Sequence, residues 1–169
     1  MAQTTKWKHG NLINLFYYDD DASAWKSLAY GQTHSLSRSA ETTDVSSKDH
    51  GIWPEQLMSS NSWTASGEYL FSKESAQIIQ KMFDKGEAYT ICFALVSQSN
   101  WADGLQDVTN KGNTEAWTIG DWAKYGDALV TSCEITGNNG EVATVSVEFT
   151  GSGSLSDTAP AKIKGYSAE

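Results

Sequence analysis

The stretch that decides the fold reads DALVTSCEITGNNGEVATVSVEFT and runs from Asp127 to Thr150. Its centre, residues 137–140, consists of glycine and asparagine, which supply the positive φ angles of a hairpin turn. After the turn two faces alternate, with Ala143, Val145, Val147 and Phe149 on one and Val142, Thr144, Ser146 and Glu148 on the other. The stretch therefore predicts a β-hairpin with strands from Asp127 to Ile135 and from Glu141 to Thr150.

Shorter strand-like segments fill most of the chain before this hairpin. Apolar or alternating residues predict strands at 11–18, 25–30, 33–45, 62–71, 88–96 and 115–119. In the clearest of these, Trp63, Ala65, Gly67 and Tyr69 alternate with Thr64, Ser66 and Glu68. This alternation predicts one buried and one polar face.

A single helix interrupts the strands, from about Lys73 to Lys85. Ser72 is suited to cap its N-terminus, and Gly86 is suited to end it. The predicted fold is mainly β, an antiparallel β-sandwich or barrel with one covering α-helix, in one domain over residues 1–155. Residues 156–169 are expected to form a C-terminal tail that is flexible or ordered by a neighbouring molecule.

Residues 46–61 have neither a helical nor a strand period, and we predict a long loop there. This loop carries Lys48 and Asp49, followed by the apolar residues Ile52, Trp53 and Leu57. Apolar side chains in a loop need a surface that covers them. Two interpretations are open: the loop packs on a neighbouring subunit, or it folds back on its own domain.

The charge balance argues against a protein that reads DNA sequence. The chain of 169 residues has 12 lysines and arginines against 21 aspartates and glutamates, a net charge of −9. Binding duplex DNA requires cationic side chains that release counterions from the phosphates.

The longest apolar run, Ile91 to Val96, is far shorter than the roughly 20 residues of a membrane span. We therefore expect no membrane partner and a chain made in the cytosol.

Side chains that could carry catalysis or bind a metal are scattered along the sequence. His9, His34 and His50 lie in separate polar segments without the spacing of a zinc site, and we expect them at the surface. The acidic residues 19–21 lack the alternating oxygen ligands of a calcium loop. The sequence contains no phosphate-loop or nucleophile-elbow motif. We predict a protein without catalytic residues, cofactor or metal.

Alternatives to this interpretation exist. Cys92 and Cys133 could form a disulfide, although free thiols are favoured in a reducing cytosol. Two of the 21 acids could form the carboxylate pair of a glycosidase. The seven tryptophans and seven tyrosines could stack on sugars, as in a carbohydrate-binding β-sandwich module.

Three stretches of the chain stand in a recognisable order. The first includes Leu28 to Tyr30 and continues from Thr33 to Asp49, where it enters a Ser/Thr-Lys-Asp loop. The second is the strand segment from Ser62 to Gly67, and the third is the closing hairpin from Gly126 to Leu155, which ends in Gly-x-Gly-x-Leu. The order and spacing of these stretches, over Leu12 to Leu155, resemble the major tail tube proteins of long-tailed phages, in particular the family typified by lactococcal phage TP901-1.

The resemblance implies a structural virion protein that is not an enzyme. Proteins of this family form stacked rings, typically of six subunits, whose sheets join into a continuous barrel around a channel. The helix covers the outside of the barrel, and the channel passes DNA into the host without binding it specifically. The implied partners are further copies of the chain, a tape measure protein, and tail terminator or baseplate proteins. The implied location is the virion tail, assembled in the bacterial host cytoplasm.

The resemblance also implies roles for particular residues. Lys48, Asp49, Ile52, Trp53 and Leu57 would contact a neighbouring subunit or ring through the long loop. The polar face of the closing hairpin, including Glu134 and Glu148, would line the channel, where acidic groups suit the rapid passage of DNA. The nearest alternative keeps the fold and assigns the chain to the tube or baseplate of another phage-derived injection machine.

Overall fold

The strands that the structure describes form one antiparallel sheet. The computed structural model describes residues 10–28, 30–96 and 119–168. The strands are β1 (Ile13–Asp19), β2 (Ala24–Ser27), β3 (Gly31–Asp44), β4 (Gln56–Leu70), β5 (Tyr89–Val96), β6 (Ile119–Thr136) and β7 (Thr144–Gly151), and the helix is α1 (Lys73–Lys85). The strand order is β2-β1-β5-β6-β7-β4-β3. The predicted antiparallel β fold with one helix is confirmed, whereas most of the predicted strand at 115–119 lies outside the described residues.

Helix α1 has the ends and the buried side that its sequence predicts. The Ser72 hydroxyl accepts a hydrogen bond from the Ser75 amide at 3.2 Å, and Gly86 adopts a left-handed conformation that ends the helix. Ala76, Ile79 and Met82 are buried against the sheet. The helix therefore covers one side of the sheet.

Two apolar clusters lie on opposite sides of the sheet. The main core faces α1 and includes Leu15, Tyr17, Trp63, Tyr69, Ile91, Val145, Val147 and Phe149. The smaller cluster comprises Phe16, Cys92, Ala94 and Val96, whose side chains alternate with those of the core. Trp25 of β2 and Tyr125 of β6 pack against this cluster, so the side away from α1 is polar only over β3, β4, β7 and the C-terminal half of β6.

The sheet curls, so that its last strand approaches its second one. His34 of β3 forms a hydrogen bond with the backbone of Ile13 in β1, although β3 and β1 are not neighbours in the strand order. The His34 ring also meets the Tyr69 ring edge-on, with centroids 5.4 Å apart. The expectation that His34 lies at the surface is therefore wrong, because β1 covers it; His50 is exposed and His9 lies outside the described residues.

The C-terminal segment packs on its own domain, whereas a tail that is flexible or ordered by a neighbouring molecule was expected. The Tyr166 amide donates to the Tyr18 carbonyl at 2.8 Å, and the Asp20 amide donates to the Tyr166 carbonyl at 2.9 Å. The Tyr166 ring is buried against Tyr17 and Tyr89. One aromatic anchor thus holds a segment whose composition suggests mobility.

Candidate assembly surfaces

The side of the sheet that α1 leaves uncovered forms a polar surface, which we call the open face. Strand register places Thr33, Glu68, Ser146 and Glu134 in one row, Ser35, Ser66, Glu148 and Ser132 in the next, and Ser37, Thr64, Thr150 and Leu129 in a third. The rows cross β3, β4, β7 and the C-terminal half of β6. Among the described residues of these rows there is no cationic and no aromatic side chain.

The two glutamates predicted to share a face do so. Glu134 and Glu148 are exposed on the open face, together with Glu68. Ser146 stands between Glu68 and Glu134, so neither acid lies directly opposite another and their repulsion is limited. The sequence prediction missed Glu68, although its alternation with Trp63 and Tyr69 already placed it on the polar side.

Hydroxyl groups on the open face pair with each other. The hydroxyl oxygens of Ser35 and Ser66 are 2.7 Å apart, as are those of Ser39 and Ser62. Each pair occupies directly opposite positions on β3 and β4. In each pair one hydroxyl group donates to the other, so that this donor is not available to a phosphate oxygen.

Strands β3 and β4 continue beyond the rest of the sheet as a two-stranded arm, residues 40–61. Strand β7 pairs with β4 only between Thr64 and Leu70, so the earlier residues of β4 pair with β3 alone. Because β4 begins at Gln56, the predicted loop at 46–61 is too long, and its last six residues belong to a strand. Residues 56–61 of β4 have no buried face, and they therefore lack the alternating pattern that marks a strand in sequence.

The tip of the arm carries the residues predicted to contact a neighbour. Lys48 and Asp49 lie in a short 3-10 turn at the tip and are exposed. The exposed apolar residues are Val45, Ile52, Trp53, Leu57 and Met58. Ile52 is 90% exposed and Trp53 is 78% exposed, so the loop does not fold back on the described part of its own domain.

Local hydrogen bonds hold the tip in shape. The Ser47 amide donates to Nδ1 of His50 at 2.8 Å, and His50 also pairs with the Glu55 carboxylate. The Asp44 carboxylate accepts from the Ser46 amide at 2.8 Å, and hydrogen bonding to Ser46 lowers the pKa of Asp44. The exposed apolar side chains are thus presented on a defined scaffold.

Trp63 fills the corner where the arm leaves the sheet. Its indole N–H donates to the Gly153 carbonyl at 2.9 Å. A Cβ on Gly126 would lie 2.6 Å from the ring, and a Cβ on Gly151 would overlap it. Since β7 ends at Gly151, next to the first arm residues, the ring packs on bare backbone at the base of the arm.

The buried titratable groups belong to the core. Burial lowers the pKa of His34 to about 4 and raises the pKa of the Cys92 thiol to about 12. Burial also raises the pKa of Tyr69. Cys92 and Cys133 are free, in agreement with the favoured prediction.

The described part of the chain contains no cluster of three or more side chains suited to hold a metal ion. None of its helices is long and apolar enough to cross a membrane.

The described sheet is covered on one side by α1, carries glutamates on its open face and extends an arm whose tip exposes apolar side chains. These features are typical of a β-rich subunit that assembles with other copies. A family model described as phage tail tube protein matches residues 11–157. The chain belongs to this family, whose members are structural subunits of tail tubes. A search of curated proteins finds no match.

Solved structures share the fold at low sequence identity. The chain is similar to a subunit of the tail of an empty gene transfer agent particle, with 21% identity, a TM-score of 0.67, and coverage of 90% of this chain and 100% of that one. It is also similar to the SPP1 tail tube, with 13% identity, a TM-score of 0.57, and coverage of 86% and 76%. A chain of the anti-feeding prophage baseplate matches with 10% identity, a TM-score of 0.61, and coverage of 90% and 95%.

Proposed function

We propose that copies of this chain form rings that stack into a phage tail tube, with the open face turned toward the channel. The observation that carries this orientation is the contrast between the two sides of the sheet. One side packs against α1, whereas over β3, β4, β7 and the C-terminal half of β6 the other side presents three rows that consist, apart from Leu129, of serine, threonine and glutamate. A surface of this composition suits a water-filled channel.

The ring closes through the edges of the sheets. Strand β3 is a 14-residue edge strand, and an edge of that length requires a partner or a cover. The tail of the gene transfer agent particle has C6 symmetry, which supports a six-membered ring. Six copies that each contribute the four strands of the open face would form a barrel of 24 strands. Barrels of about 16–18 strands already leave an aqueous channel.

The open face accounts for the passage of DNA without binding. DNA is held by cations that release its counterions, and the described rows offer glutamates instead. The remaining parts of the proposal follow the resemblance to the TP901-1 type of tube protein. The chain is assembled in the bacterial host cytoplasm, contacts a tape measure protein and terminator or baseplate proteins, and functions in the virion without enzymatic activity.

Electron microscopy of the concentrated, purified protein tests the assembly. We expect hollow tubes or stacked rings in negative stain and a matching fast-sedimenting species. A chain that stays monomeric even when the remaining tail proteins are supplied would refute the proposal.

Charge reversal on the open face tests its orientation. Tubes of Glu148→Lys, assembled with short duplex DNA, should retain DNA that nuclease cannot digest, since lysines in the channel bind phosphates. Glu87→Lys makes the same charge change at an exposed position between α1 and β5 and should protect no DNA. Equal protection by both variants, or none by Glu148→Lys tubes, would show that the open face does not line the channel.

A further inference from the structure

The turn between β6 and β7 contains the only Asn-Gly pair of the sequence, Asn139 and Gly140, and both residues are exposed. Across the turn the Glu141 amide donates to the Asn138 carbonyl at 3.2 Å. The side-chain amide of Asn138 donates to the Glu141 carboxylate at 3.0 Å. Asn139 and Gly140 therefore lie between two residues that are bound to each other, at the end of the hairpin that forms part of the open face.

The two groups that react when an asparagine loses ammonia are both free in this turn. Among the contacts of the described residues, neither the Gly140 amide nor the Asn139 side chain has a hydrogen bond or an ion pair. Gly140 has no Cβ, and a Cβ built there would meet no atom within 4 Å. Neither hydrogen bonding nor packing therefore keeps the Gly140 nitrogen away from Cγ of Asn139.

We propose that Asn139 is a site of spontaneous deamidation, with water as the co-reactant, and that its conversion weakens the hairpin. Asparagine is among the thermolabile residues of proteins. The Gly140 nitrogen forms a bond to Cγ of Asn139, the bond between Cγ and Nδ2 breaks, and Nδ2 leaves as ammonia with the Gly140 amide proton. Water then opens the resulting succinimide ring at one of its carbonyls. Opening gives aspartate, or isoaspartate, in which the main chain runs through the former side chain.

The other asparagines whose side chains the structure describes lack this arrangement. Asn14 lies within β1 and Asn61 lies within β4, where pairing with a neighbouring strand fixes the backbone. The residue after each of them carries a side chain. Asn138 is held by its hydrogen bond to the Glu141 carboxylate. Among these four residues we expect conversion at Asn139 alone.

Conversion changes both the charge and the length of the turn. Either product adds a carboxylate near Glu141, and like charges repel. Isoaspartate also lengthens the main chain between Asn138 and Glu141, across which the 3.2 Å hydrogen bond of the turn is formed. The last pair of the hairpin, Thr136 and Thr144, lies next to this turn. We therefore expect the end of the hairpin to open and the free energy of unfolding to fall.

Peptide-resolved mass spectrometry tests the site after the purified chain has been kept in mildly alkaline buffer. The peptide that contains Asn139 should gain the mass difference between a carboxyl and an amide group, and it should separate into two products on chromatography. The folded chain should react there at a rate comparable to that of the guanidinium-unfolded chain. Asn14 and Asn61 should stay unchanged in the folded chain.

Two glutamine variants provide the comparison. Asn139→Gln should not react at this position, because glutamine would have to close a larger ring. The backbone at position 139 has a negative φ, so that glutamine fits there without strain. Asn138→Gln is the matched control and should still be converted at Asn139. After storage, the wild type should have a lower urea midpoint than fresh protein, whereas stored Asn139→Gln should keep its midpoint.

Two results would overturn the inference. If the folded chain keeps Asn139 intact while the unfolded chain loses it, the turn is protected and is not a modification site. If converted wild type has the same urea midpoint as fresh wild type, conversion does not weaken the hairpin. Both measurements use the free subunit, so either result leaves the proposed tube untouched, and a failure to form tubes leaves the modification site untouched.

Discussion

At the scale of single residues, Trp63 shows how one side chain can require glycine on two neighbouring strands. Its ring lies on Gly126 and Gly151, and its indole N–H is bound to the Gly153 carbonyl. Glycine is required at positions 126 and 151 because a Cβ at either position would displace the ring.

Gly151→Ala should therefore destabilise the protein by about 1–3 kcal/mol, the usual effect of overpacking a core. Gly137→Ala is the matched control, since its nearest neighbour would be the Ala143 Cβ at 4.0 Å. The urea midpoints of both variants measure the difference. Equal midpoints would show that the Trp63 ring can move freely.

His34 should make stability depend on pH. Its pKa falls from 6.5 to about 4 on folding, so the unfolded chain takes up a proton first as the pH is lowered. The contribution of neutral His34 to the free energy of unfolding is fully present above pH 6.5 and is lost as the pH falls toward 4. This contribution is on the order of 3 kcal/mol. Urea unfolding between pH 7.5 and 5 should show a steeper decline for the wild type than for His34→Gln. Parallel pH dependences of the two proteins would show that protonation of His34 does not cause the decline.

At the scale of elements, the sequence predictions were accurate where the residues that determine an element lie within one short segment of the chain. Helix α1 was predicted with its caps, because Ser72, Gly86 and the apolar spacing all lie within one segment. The closing hairpin was predicted with its faces for the same reason, and Glu134 and Glu148 do share a face.

The elements that were predicted less well depend on distant contacts. Residues 56–61 of the arm were assigned to a loop because strand patterns reflect burial, and these residues are all exposed. The C-terminal segment was expected to be flexible or ordered by a neighbour, because its own residues do not reveal that Tyr166 packs on β1 and β5. The rows of the open face required strand register, which no single segment encodes.

At the scale of the whole molecule, the subunit has two unlike ends. The arm projects from one end, and the turn between β6 and β7 lies at the other. A stack built through unlike ends has a direction, and each of its termini exposes a different surface.

A subunit that lacks the arm should therefore stop growth at one terminus. We expect a chain in which a short Asn-Gly turn replaces residues 40–61 to remain folded, because the β4 residues of the arm are all exposed. Added in small amounts to wild-type protein, it should shorten tubes measured by electron microscopy. Unchanged tube lengths would contradict the directional stack.

The rows of glutamate and serine on the open face have an electrical consequence. A narrow conduit whose wall carries fixed negative charges fills with mobile cations and repels anions. A tube lined by these rows is a permselective conductor, so that current through it is carried mainly by cations at low ionic strength. As salt shortens the Debye length to about 3 Å at 1 M, this preference disappears and the tube conducts both signs of ion alike.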